Sequence, residues 1–578
     1  MTKKLKTFLL ALFISLPIIS MDDYFDDDFG WDEFSMEADE KGDCFSDIGE
    51  RPCVLSPSNI LSAIGIVNGL PLALVDALKL TVYLHTNTPV TRYICDQPIF
   101  IKYNNGQSFL NASIFLNWMN EMHFAEDSTH INSYLTLSKE NTLRVLGQFS
   151  SITGVDLIKV VRLFENFTLR EAKLGLMLQG RQQFDCGVYA GFQVPLYYFI
   201  RHYNATAQEI NELKANNLFG SGAGPSDDNS FIQDHLVGDV LGLGDLRLSA
   251  AYKFWEQDTF LLTLGTQITI PTSTVTRGLY GRNFRKISEP AFLNLENFFC
   301  NFAEASKPGT PADLKAAINA DLDQQKKEFG IRVLDWLSAN LLVPPIGQEQ
   351  QWALGWFIEP QLHIQERITL KTRFCFDYLF GHHRTNFILV NRNLEGLSTA
   401  IFDTVNPDTA VEITEEEASN RLAYISELIQ EKFGPNQANS QLSGRAKVQL
   451  TIAPEFRVTD NWTILFGYDF WWLQSEKIEQ SNDSYLDRYE IQATPLPPDS
   501  PNPPRDFITT FEGAFPLGKE IYKAERSSAY QHKLVGAVNY KRFTRKHDLT
   551  FSLGGDITVG SHGIGKDFTL MTGLTLHF

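Results

Sequence analysis

The 578-residue chain has no apolar run long enough to cross a bilayer as a helix. Phe8–Ile19 is far shorter than the ~20 residues a span needs, and Ile60–Leu84 is interrupted by Asn68, Pro71, Asp76 and Lys79. Basic charge is also scarce: 50 Lys and Arg against 69 Asp and Glu leave a net charge of −19. That sign argues against a nucleic-acid partner, which calls for a basic face. The six cysteines (44, 53, 95, 186, 300 and 375) show no C-x-x-C spacing, so neither a zinc site nor any other metal site or cofactor is expected. They are compatible with disulfides after export, and six allow fifteen pairings; Cys44 with Cys53 is the best local pair. There is no G-x-S-x-G elbow and no H-E-x-x-H, and His382-His383 reads as ordinary surface, so the chain is not expected to be an enzyme.

What is present begins with an export signal. Lys3, Lys4 and Lys6 precede the apolar stretch, Ser20 is a usable small residue, and an acidic run from Asp22 follows. Residues 1–20 are the expected signal peptide, and the acidic Met21–Glu50 resembles a disordered or periplasmic segment. An exported chain without helical spans is secreted, periplasmic or an outer-membrane barrel. A barrel hides its membrane signal because only alternate residues face lipid.

Alternation recurs along the chain. Trp462, Ile464, Phe466, Tyr468, Phe470 and Trp472 share one face, with Thr463, Gly467 and Asp469 on the other. Val448–Val458 alternates just before it, and the Thr459-Asp460 turn makes the two a hairpin. Four more pairs follow this plan: Leu174–Gln179 with Phe184–Tyr198, Leu246–Phe254 with Phe260–Ile270, Leu354–Ile364 with Ile368–Phe380, and Leu534–Tyr540 with Leu549–Val559. The turns are short and polar, while the links 200–243, 272–351, 381–446 and 475–529 are long. Short periplasmic turns with long external loops are the layout of outer-membrane barrels. Leu110–Trp118 and Phe568–Phe578 complete an expected twelve strands over residues 108–578. The alternative of fourteen adds Leu78–Leu84 and Ile99–Tyr103, joined at an Asn105-Gly106 turn.

Two resemblances sharpen this reading. Thr572, Gly573, Leu576 and the terminal Phe578 fit the closing strand of Gram-negative outer-membrane β-barrels. In that family this pattern is the signal read by the barrel-assembly machinery, which implies outer-membrane lipid and that machinery as partners. The stretch Gly242–Leu248, Tyr252, Phe254, Leu264–Thr266 and Ile270–Thr272 weakly resembles a hairpin of the fatty-acid and aromatic-hydrocarbon transporters of the outer membrane. That likeness implies passage of apolar small molecules and an N-terminal hatch, for which Met21–Gln107 is the candidate plug. No binding residue carries over.

The loops are expected to be partly helical, at Ala205–Leu218, Pro311–Ser338 and Thr414–Phe433. Alternation places Arg247, Lys253, Glu359, His363, Lys371, Arg373, Asp377, Glu455, Arg457 and Asp469 toward the lumen, with Lys173, Lys447 and Asp556. Opposed charges in a narrow barrel fill it with ion pairs and plug it; alternatively they line a polar path and set its selectivity. The expected function is a channel or transporter for a small solute. The alternatives are a surface interaction protein anchored by its barrel and, third, a lipase-type enzyme.

Overall fold

The computed structural model describes residues 90–103, 108–123, 167–215, 236–273, 311–314, 316–317, 319–320, 342, 346–348, 351–389, 436–479, 490–491, 515–516, 525–543 and 547–578. The expected signal peptide, the Cys44–Cys53 pair, Leu78–Leu84 and Thr414–Phe433 lie outside them.

Twelve long strands form the wall: β1 (Phe109–Glu121), β2 (Thr168–Gln183), β3 (Val188–Asn204), β4 (Leu246–Gln257), β5 (Phe260–Ile270), β6 (Ala353–Gln365), β7 (Ile368–Leu379), β8 (Arg445–Arg457), β9 (Trp462–Leu473), β10 (Ala529–Phe543), β11 (Asp548–His562) and β12 (Lys566–His577). Each pairs antiparallel with the next. β12 pairs with β1 from Phe109↔His577 to Glu121↔Lys566, which closes the ring. A short strand, Val237–Leu243, continues the β4 position along the far half of β3. Closure of the ring leaves the sheet no free edge strand among the described residues, a condition for crossing a bilayer without helices.

Alternation sorts the side chains. Ile114, Leu354, Phe466, Leu553, Ile557 and Leu570 project outward, each more than half exposed. Among their sequence neighbours, Ser113, Gly467, Ser552, Asp556 and Thr569 turn into the barrel. An apolar outer face over a polar interior is the arrangement of a transmembrane β-barrel.

One end of the ring carries the short turns at 184–187, 258–259, 366–367 and 458–461, and the short link between β10 and β11. The long connections leave from the other end. The exception there is the three-residue turn 563–565, where Gly563 adopts φ 65°, a left-handed conformation that suits glycine.

Three sequence expectations change. Ile99–Tyr103 is not a strand: Pro98–Phe100 forms a 3-10 turn inside the barrel, so this half of the fourteen-strand alternative is lost. Part of the expected 381–446 loop is strand, His382–Leu389 paired with Asn436–Leu442 and edged by Ile478–Glu479, a ribbon continuing from β7 and β8. The helix expected from Ala205 starts at Ala207 and is described to Ala215. It starts on a capping box, with Thr206 Oγ1 accepting from the Glu209 amide at 3.2 Å and Glu209 Oε2 accepting from the Thr206 amide at 2.7 Å. Within 311–338 the described residues 312–314, 316–317 and 319–320 are helical.

Candidate functional site: the occupied lumen

Residues 90–103 run through the lumen. Their sequence suits them to it, with apolar pairs (Ile94-Cys95 and Ile99-Phe100) flanking polar Asp96 and Gln97 in two successive 3-10 turns. The apolar side packs on one arc of wall: Tyr93, Ile94, Ile99 and Phe100 cluster with Phe115, Met177, Tyr197, Phe199 and Met571. Phe100 meets Phe115 edge-on, with centroids 5.4 Å apart. Burying the side chains of Ile94, Ile99 and Phe100 contributes roughly 2 kcal/mol each.

The polar side meets charges spread over the rest of the wall, from β4 round to β12. Asp96 is bound by Arg247 of β4 and by Lys447 of β8, whose Nζ lies 2.9 Å from Oδ2. Lys447 also reaches Asp377 of β7 at 3.0 Å. Burial opposes the charge on Asp96, but Lys447 and Arg247 outweigh it and hold its carboxyl far below the usual carboxylate range. Arg92 pairs with Asp469 of β9 at 2.7 Å and lies over the Trp471 ring. Gln97 accepts from Lys533 of β10 and donates to Asp567 of β12 at 3.0 Å.

Wall side chains also take up the carbonyls of the segment, which has no ladder of its own to satisfy them. Arg247 donates to Cys95 O at 3.1 Å, Gln449 to Asp96 O at 2.9 Å, Gln179 to Phe100 O at 2.7 Å and Arg181 to Lys102 O at 2.8 Å. Burial pushes the Cys95 thiol up to about 12. Cys95, Cys186 and Cys375 are free thiols.

The structure brings most of the sequence-predicted lumen residues together. Arg247, Asp377, Lys447 and Asp469 contact the segment directly or through one partner. Lys173 pairs with Glu171 at 2.8 Å and donates to Arg92 O at 3.4 Å. Arg373 pairs with Glu359 at 2.8 Å while lying 4.2 Å from the Phe357 ring centroid. Gly265 leaves the space that this ring fills, since a Cβ there would collide with it. Lys371 pairs with Glu455, and Asp556 with Lys533. Lys253, His363 and Arg457 stand apart from the segment, nearer the short turns.

Below the segment the lumen is open. A cavity of about 800 Å³ extends from a roof of Pro98, Ile101, Lys102 and Tyr103 toward the short turns. Its wall includes Lys253, Gln361, His363, Arg457, Asn539 and His577. Among the described residues no group of three or more His, Cys, Asp or Glu is placed to hold a metal ion.

Sequence reasoning missed Arg92, Asp96, Glu171, Arg201 and Lys533 as members of this network; Asp567 falls on the polar face that alternation gives the closing strand. Glu171, Arg201 and Lys533 lie just beyond the strand ends inferred from apolar alternation, and extending each strand by a few residues would have placed them inward.

No protein-family model matches the chain, and no curated protein does. Among solved structures, an outer membrane channel from Pseudomonas putida F1 is similar at 10% identity and TM-score 0.34, covering 83% of this chain and 100% of that one. The Ralstonia pickettii toluene transporter TbuX is similar at 8% identity and TM-score 0.27, over 81% of this chain and 90% of its own. The Pseudomonas putida toluene transporter TodX is similar at 6% identity and TM-score 0.26, over 86% and 96%. All three are distant from this chain.

Proposed function

We propose that the protein is an outer-membrane channel or transporter for a small solute, stopped by residues 90–103. The observation that carries this is the divided lumen. A charge-lined cavity of about 800 Å³ leads from the short-turn end to a segment held by side-chain contacts and hydrogen bonds, without strand pairing to the wall. A barrel serving only as an anchor can fill its bore with its own side chains, as the pairs Glu171–Arg201 and Arg373–Glu359 do locally. Here a separate piece of chain fills one zone and leaves the next open.

On this reading the short turns are periplasmic and the long connections external. The inward charges are the determinants of selectivity, and Gly573, Leu576 and Phe578 are the assembly signal. The test is current through planar bilayers together with solute uptake by proteoliposomes. Brief openings, more frequent when the segment is loosened, are expected. Absence of both current and uptake would remove the transporter reading. The second reading would then stand, a barrel that anchors surface structure, favoured by the ribbon His382–Leu389/Asn436–Leu442 beyond the wall.

A further inference from the structure

The charge in the vestibule is opposite to that of the chain. Its lining includes five cationic side chains, Lys102, Lys253, Lys371, Arg457 and Lys541, against the carboxylates of Glu256, Glu455 and Asp460. The chain as a whole carries −19. Three of the cations are spoken for: Lys253 by Glu256 at 2.9 Å, Lys371 by Glu455 at 2.9 Å, and Lys541 by Asp548 at 3.0 Å. Lys102 and Arg457 have no carboxylate ion pair among the described residues.

Their positions differ in a useful way. Arg457 ends β8 beside the short turn 458–461, at the mouth. Lys102 sits in the roof, where Arg181 fixes its carbonyl. The charged and titratable groups of the wall around it include Arg181 on β2, Arg247 on β4, Lys371 and Arg373 on β7 and His577 on β12. Burial, and then the neighbouring Lys371, push the Lys102 ammonium down to about 8. It is a cation held beside a second cation, in a place where neither water nor a carboxylate fully compensates it. A guest of opposite charge would relieve both penalties.

We infer that the vestibule binds a small anion carrying a carboxylate, sulfonate or sulfate-like group, with Arg457 as the outer contact and Lys102 as the inner one. This rests on the channel reading and names the class of solute for it. A neutral donor on the same wall, Asn539, gives one amide hydrogen to Thr463 and keeps the other for a guest too small to reach every cation.

The test uses the full chain folded in detergent, titrated calorimetrically with sulfate and with succinate, whose charges are constant between pH 7 and 9.5. Maltose serves as the neutral control. Binding of an anion at pH 7 is expected, weakening by about tenfold or more at pH 9.5 as Lys102 loses its proton. Lys102→Met should abolish the pH dependence and most of the affinity, and Arg457→Gln should weaken binding at both pH values. Lys102 is outside every wall strand, and heat-modifiable migration of the variant on a gel confirms its barrel. No binding of either anion, or equal binding by wild type and Lys102→Met, overturns the inference. Reversal potentials in a potassium chloride gradient separate it from the channel reading. Current that prefers cations sinks the anion site and leaves the channel. Anion binding without any current or uptake sinks the channel and leaves the site.

Discussion

Replacing Asp96 with asparagine should loosen the luminal segment without disturbing the wall. Asp96 is buried and is the point where Arg247 and Lys447 converge. Removing one member of a buried ion pair costs about 3–5 kcal/mol, much of it from the charge left behind. Here the survivors keep partners: Lys447 retains Asp377 at 3.0 Å, and Arg247 retains the Cys95 carbonyl at 3.1 Å. The lower end, about 3 kcal/mol, is therefore expected, and at about 1.4 kcal/mol per factor of ten this is roughly a hundredfold shift between docked and released segment. Roughly 6 kcal/mol of apolar burial by Ile94, Ile99 and Phe100 remains, so the segment should stay docked most of the time. The assay is single-channel recording: openings should become about a hundredfold more frequent, without a permanently open pore. Unchanged opening frequency in a barrel that migrates as folded would refute this account of what holds the segment.

Three further outcomes are expected. Lys533→Met should lower the temperature at which the barrel loses its compact gel migration, by an effect of about 3–5 kcal/mol, because it strands two buried carboxylates at Asp556 and Asp567, each 2.8 Å from Nζ; adding Asp556→Asn and Asp567→Asn should restore part of it, and an unaltered transition would show those carboxylates to be hydrated. Leu553→Lys, at an outward and mostly exposed position, should cost about 2–4 kcal/mol of membrane stability, whereas Ser552→Lys points into the vestibule and should be tolerated; equal yields of the two in membrane fractions would contradict the assigned faces. Phe578→Ser should reduce delivery to the outer membrane while leaving detergent refolding intact, and normal delivery would count against the proposed assembly signal.

The wall was legible in the sequence wherever two different solvents met it. In β9 the outward Trp462, Ile464, Phe466, Tyr468, Phe470 and Trp472 are set against inward Thr463, Gly467 and Asp469, though Leu465, Trp471 and Leu473 also turn inward; in β11 Leu549, Phe551, Leu553, Ile557 and Val559 alternate with Thr550, Ser552, Gly554, Asp556 and Thr558, so the period of two stands out. It fades where both faces are wet. Thr168 and Arg170 extend β2 with no apolar partner set, and the His382–Leu389 ribbon shows no clean alternation, so both resembled loop. The lumen posed a different difficulty. Ile99-Phe100 reads as a strand start because a short apolar run carries no mark of what it will pack on. Only the ring places Phe100 against Phe115 and Asp96 between β4 and β8, contacts that no local pattern encodes. Alternation alone turns Arg247, Asp377 and Asp469 inward, but it does not carry the partner each one finds.

The seam between β1 and β12 has a kinetic consequence. Thr575 Oγ1 donates to Asn111 Oδ1 at 2.8 Å, although the two residues are 464 apart in the chain. Every other neighbouring pair in the wall is joined through the intervening chain in sequence order, so hairpins can gather progressively. The ring itself cannot close until its last strand is present, and that step must bear the loop entropy of the whole wall. Until then β1 and β12 are two open edges, each a template for pairing with another chain. Whatever shields those edges between synthesis and closure decides whether this protein assembles or aggregates.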